Sequence, residues 1–141
     1  KGLDAGIDWV VGDAERLPMA DSSVDLYTIA FGLRNVTDID AALAEARRVL
    51  KLGGRMICLE FSRLAVPALD PIYDAYSFKV VPQIGQLVAK DREAYQYLVE
   101  SIRRFPDQDR LVTRMHDAGL EQVRYRNLSG GIAAMHSAWK L

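Results

Sequence analysis

The sequence predicts an α/β fold built on a parallel sheet. Three observations carry this reading. Short apolar runs end at polar or glycine-containing loops, a segment of helical periodicity stands between two such runs, and Ser129-Gly130-Gly131 separates two further strand-like stretches near the end of the chain.

Ile7 to Val11 is a short apolar run closed by Gly12-Asp13 and predicts a buried strand ending in a polar loop. Pro18, Asp21, Ser22 and Ser23 supply turn chemistry before a second strand over Val24 to Phe31. Thr37 is placed to cap the helix that follows, with Asp40 three residues on as a weak capping box. Ile39, Leu43, Ala46 and Leu50 fall on one face of that helix, which Gly53-Gly54 is expected to end, and Arg55 to Phe61 reads as a third strand. From Leu64 to Lys90 the pattern changes, because Pro67, Pro71 and Pro82 break it into short pieces and Tyr73, Tyr76 and Phe78 crowd its middle. A helical insertion at about 64–105 is expected, including a helix capped by Asp91, with Tyr95, Leu98, Val99 and Ile102 at helical spacing, and ended by Pro106. Asp107 caps the next helix, with Leu111, Met115 and Ala118 on one face and Gly119 at its C-terminal end. Leu120 to Leu128 and Ile132 to Leu141 then form a closing antiparallel hairpin.

Half of the 141 residues are hydrophobic, enough to core a single domain, and 18 Lys plus Arg against 19 Asp plus Glu leave a net charge of -1. That balance gives no broad attraction to nucleic acid or anionic lipid. Cys58, the one cysteine, sits in the apolar run Met56 to Leu59, where a thiol behaves as a small buried hydrophobe; it excludes an internal disulfide and suits a reducing compartment. No uninterrupted apolar stretch reaches the roughly 18 residues of a membrane helix, so at most peripheral membrane contact is expected. The first residue is Lys1, and a portion ahead of it is expected.

Ligands of open α/β sheets bind beyond the carboxyl ends of the strands, which directs attention to Asp13 and to Arg34-Asn35. Asp13 reads either as an acceptor for an adenine amino group or as a loop aspartate closing a local turn. Arg34 brings a permanent cation to the rim of a strand, or else is a surface arginine paired with a neighbour such as Asp38. His116 is expected to face solvent and His136 to be a core residue, and no set of side chains has metal-ligand spacing. Tyr73 and Tyr76 are either core or the lining of a pocket for a long apolar substrate.

Gly12-Asp13-Ala14-Glu15, Phe31-Gly32-Leu33-Arg34-Asn35-Val36-Thr37-Asp38, Arg48-Val49-Leu50-Lys51 before Gly53-Gly54-Arg55, Leu59-Glu60-Phe61-Ser62 and Tyr73-Asp74-Ala75-Tyr76-Ser77-Phe78 together resemble the ubiquinone/menaquinone biosynthesis C-methyltransferase (UbiE) family. The likeness continues through Tyr95 to Arg103, Phe105-Pro106 and Asp117-Ala118-Gly119, and so covers essentially the whole chain. It implies a Rossmann-like class I methyltransferase sheet of order 3-2-1-4-5-7-6, in which this chain supplies strands three to seven and lacks the first two. It also implies S-adenosylmethionine as cofactor, with Asp13 and Ala14 at the adenine and Ala30 bordering it at the end of strand four, where relatives often carry serine. Leu52 stands where proline is usual. Arg34 and Asn35 match the family's Arg-Asn pair and are the implied catalytic residues at the substrate ring. Tyr73 and Tyr76 would belong to the pocket of a polyprenyl quinol. The implied setting is the cytoplasm, peripheral to the inner membrane, or the mitochondrial matrix side in a eukaryote. A homo-oligomer or a quinone-synthesis complex is the implied assembly. Rival readings are a nicotinamide-dependent enzyme on a similar sheet and a non-catalytic subunit of a quinone-synthesis assembly.

Overall fold

The computed structural model describes residues 6–63 and 92–141. The expected insertion between them lies outside the described residues up to position 91, and with it Tyr73, Tyr76 and the cap at Asp91; so does the Tyr95 side chain.

Among the described residues, four strands form one mixed sheet: β1 (Val24–Ala30), β2 (Leu50–Phe61), β3 (Glu121–Leu128) and β4 (Ala133–Trp139), in the order β1-β2-β4-β3. β1 and β2 are parallel, joined through α1 (Ile39–Val49), whereas β4 lies antiparallel to both β2 and β3. A parallel pair needs a crossover, and the helical pattern between the two runs supplies it. The order corresponds to strands 4-5-7-6 of the sheet implied by the sequence resemblance. Among the described residues, α2 (Arg92–Arg104) and α3 (Gln108–Asp117) lead into the hairpin.

The amphipathic faces that marked the helices are the ones that pack. Leu43 and Ala46 of α1, Leu111 and Met115 of α3, Phe105, and Met56, Cys58 and Ala138 of the sheet form the core cluster. The caps are local. Asp38 caps α1, accepting from the backbone N–H groups of Asp40 and Ala41, in place of the expected Thr37; its carboxylate satisfies two of the orphan donors of the first turn. Asp107 caps α3 as expected, accepting from Arg110. Gly119, at φ 81°, ends α3 in a Schellman arrangement in which Gly119 N–H donates to His116 O and Leu120 N–H to Met115 O.

Several boundaries differ from expectation. The helix stops at Val49, and β2 begins at Leu50, ahead of the glycines. Gly53-Gly54 instead lie in β2 where the pairing with β1 shifts register between Val24 and Leu26, and Gly53 and Gly54 exchange backbone hydrogen bonds with Lys140. β1 ends at Ala30, because Phe31 turns to a positive φ of 53°. The expected strand at Ile7 to Val11 does not form: these residues pair with no described strand, and Trp9 and Val11 are 82% and 100% exposed. A strand exists through its ladder partners. In the order 3-2-1-4 two strands stand between this segment and β1, and the described residues contain neither.

Candidate functional site

The carboxyl ends of β1 and β2 lie side by side, since Ala30 pairs with Leu59 and Phe31 N–H donates to Leu59 O. Beyond β1 the chain makes a 3-10 turn, Leu33–Asn35, pinned by buried Leu33. Phe31 is a bulky residue in the left-handed region, a conformation that costs on the order of 1–2 kcal/mol. Its carbonyl accepts from the guanidinium of Arg34 and, at 3.4 Å, from Asn35 Nδ2. Its ring packs on Phe61 with centroids 4.7 Å apart.

Arg34 is not the surface arginine paired with Asp38 that one reading of the sequence offered. Its side chain is only 11% exposed and ion-pairs with Glu60, Nη1 to Oε2 at 3.3 Å. Glu60 is the penultimate residue of β2, is 1% exposed, and also accepts from Arg34 N–H at 3.2 Å and Phe61 N–H at 3.1 Å. The guanidinium carbon of Arg34 stands 5.4 Å from the centre of the Phe61 ring. The alternation of β2 hides this carboxylate on the core face, and sequence reasoning passed over it inside the Leu59 to Ser62 motif. A charged residue at a core-facing strand position was the available signal, since such residues are almost never fully buried unless paired.

A cavity of about 390 Å³ opens between the 3-10 turn and α2, lined in part by Arg34, Asn35, Thr37, Tyr97, Ser101 and Phe105. Tyr97 O–H donates to Asn35 Oδ1 at 3.3 Å and so ties α2 to the turn. Arg34 and Asn35 are therefore brought together at one cavity, with Tyr97 and Ser101 as polar residues not singled out from sequence.

Asp13 and Ala14 lie in a turn on the same edge. Asp13 Oδ1 accepts from Glu15 N–H at 2.9 Å and Arg16 N–H donates to Asp13 O, so the turn-closing role is real. Glu15 in turn accepts from Asp38 N–H at 3.0 Å and from Thr37 N–H, seating the turn at the entry of α1. Residues after it are held by α1 as well: Leu17 N–H donates to Glu45, and Arg48 bonds Glu45, Asp21 and two backbone carbonyls. The second carboxylate oxygen of Asp13 has no partner among the described residues, and Asp13 is exposed. Ala30, at the end of β1, is exposed as well.

His136 is a core residue and His116 is exposed, as expected. His136 Nε2 meets the carbonyl of Gln108 at 3.1 Å, and Gln108 Nε2 donates to Arg63 O and to Asn127 Oδ1. Burial pushes the Cys58 thiol up to about 12, with the negative charge of Glu60 adding to the effect, so it stays protonated and inert. No group of His, Cys, Asp and Glu able to hold a metal occurs among the described residues.

Residues 1–140 match the model of the ubiE/COQ5 methyltransferase family. The chain is 61% identical, over its whole length, to the ubiquinone/menaquinone biosynthesis C-methyltransferase UbiE of Caulobacter sp. (strain K31), covering 56% of that protein. It is 56% identical over 140 residues to the mitochondrial 2-methoxy-6-polyprenyl-1,4-benzoquinol methylase of Xenopus laevis, covering 99% of this chain and 45% of that protein. The chain thus spans about half the length of the curated relatives it matches. Among solved structures, an S-adenosylmethionine-dependent methyltransferase of Thermotoga maritima aligns with a TM-score of 0.64 at 23% identity, over 96% of this chain and 65% of that one. The [4+2]-cyclase SpnF aligns with a TM-score of 0.66 at 17% identity, over 98% of this chain and 57% of that one. At these identities the structural likeness shows the fold. The chain belongs to the ubiE/COQ5 methyltransferase family.

Proposed function

We propose that this chain takes part in S-adenosylmethionine-dependent C-methylation of a polyprenylated quinol ring, either 2-polyprenyl-6-methoxy-1,4-benzoquinol or demethylmenaquinol. The observation that carries the reading is the cavity beyond the carboxyl end of β1, lined by Arg34, Asn35 and Tyr97 and flanked by aromatic and apolar side chains. Family membership supports the cofactor. Asp13, through its unused oxygen, and Ala14 would hold the adenine, with Ala30 beside it.

A quinol carbon becomes nucleophilic when an adjacent hydroxyl ionises, and a phenol has an ordinary pKa of about 10. The site therefore has to favour the phenolate near neutrality. Arg34 cannot serve as the base, since guanidinium keeps its proton. It serves as a fixed donor, as no described residue accepts from its Nη2 while Nη1 is held by Glu60 and Phe31 O. Asn35, oriented by Tyr97 and Phe31, supplies a second polar contact. When bound, S-adenosylmethionine supplies an electrophilic methyl group, and the role of the cavity is to hold the ring carbon in line with it. By the sequence resemblance, Tyr73 and Tyr76 would belong to the pocket of the polyprenyl tail.

No described helix is long and apolar enough to cross a membrane. We place the reaction in the cytoplasm at the inner face of the membrane, or on the mitochondrial matrix side in a eukaryote, within a homo-oligomer or a quinone-synthesis complex. The test is incubation of the full-length protein with S-adenosylmethionine and each of the two quinols, followed by mass spectrometry and NMR. A new methyl on a ring carbon is expected; methyl on oxygen alone, or no transfer to either quinol, would refute the reading.

A further inference from the structure

We propose that Glu60 is a positioning residue for Arg34; the inference rests on the quinol reading for its kinetic consequence. Glu60 is absent from the cavity wall and 1% exposed, so it acts through what it holds. It grips Arg34 at both ends. Oε1 accepts from the backbone N–H at 3.2 Å, and the two oxygens stand 3.4 and 3.3 Å from Nη1. Phe31 O receives the same Nη1, through the positive φ that turns its carbonyl, and the Phe61 ring supports the guanidinium carbon.

An arginine side chain has about 2 kcal/mol of rotamer entropy to lose, and here that loss falls on the folded protein before any substrate arrives. The guanidinium plane is already held on the Nη1 side, leaving Nη2 without a described acceptor in a residue that lines the cavity. The pair is also neutral as a whole. Arg34 therefore works at the site as an aimed donor whose positive charge is balanced behind it, and preorganised donors of that kind are most effective in dry pockets. A carboxylate buried at a strand end is expensive unless it is paired and hydrogen-bonded. Here all the described donors to it come from Arg34 and its own neighbour Phe61.

The test is a double-mutant cycle in the full-length protein with Glu60→Gln, Arg34→Gln and both together. Glu60→Gln is expected to lower kcat on the quinol about ten-fold or more, with the KM for S-adenosylmethionine within about two-fold of wild type. In the Arg34→Gln background the same change should cost nothing further. Losses that multiply in the double variant, or an unchanged kcat in Glu60→Gln, would overturn the proposal. Circular dichroism melting checks the fold, and Glu60→Asp, which keeps the charge, carries the same cycle if Glu60→Gln does not fold. A nitrogen NMR measurement reads the positioning without turnover: rotation about the Arg34 Cζ–Nη bonds should be slow in wild type and fast in Glu60→Gln or Glu60→Asp. Equal rotation rates would refute the positioning role. A wild-type protein inactive on quinols with the NMR difference intact would refute only the functional reading.

Discussion

Lowering the pH from 7 toward 5 should destabilise this fold through His136, and the structure sets the sign. The ring is 2% exposed, and its Nε2 faces a carbonyl, which can only accept, so Nε2 carries the proton of the neutral form. Nδ1 is then a bare nitrogen with no partner among the described residues. Protonating it would create a buried N–H and a buried charge together. Burial accordingly lowers the pKa below its ordinary 6.5, and the Gln108 carbonyl and the Asp109 charge offset this only in part. With the folded pKa depressed, the stability contributed by the neutral ring is fully present above the unfolded value of 6.5. It is lost as the pH falls through the folded value. Between the two the slope approaches about 1.4 kcal/mol per pH unit. Urea unfolding of the full-length protein, followed by tryptophan fluorescence at pH 7.5, 6 and 5, measures it. His136→Gln keeps a donor for Gln108 and removes the titration, so its stability should fall much less than that of the wild type across this window. The same pH dependence in wild type and His136→Gln would refute the reasoning.

Two further outcomes concern the site. Arg34→Lys should lower turnover on the quinol by on the order of 100-fold with little change in cofactor affinity, because an ammonium cannot reach Glu60 and the cavity at once; steady-state kinetics with unchanged turnover would remove Arg34 from the reaction. Asp13→Ala should weaken S-adenosylmethionine binding in calorimetry while leaving the melting temperature within a few degrees; equal affinities would leave Asp13 with only its turn-closing bond to Glu15.

What could be read in the sequence was what depends on neighbours along the chain. The periodicity of Ile39 to Val49 set the crossover helix, Asp107 and Gly119 bounded α3, and Ser129-Gly130-Gly131 set the hairpin turn, each through interactions only a few residues apart. The family motif also marked Arg34 and Asn35, which do line one cavity. Interactions between distant positions were decided only by the tertiary structure. The partner of Arg34 lies 26 residues away on β2, and Tyr97 reaches Asn35 across 62 residues. Pairings of that kind depend on which strand lies beside which and in what register, and no local pattern records it. Ile7 to Val11 makes the same point from the other side. Its apolar run has the composition of a buried strand, yet composition cannot supply the neighbouring backbone that would pair with it, and the segment stays exposed.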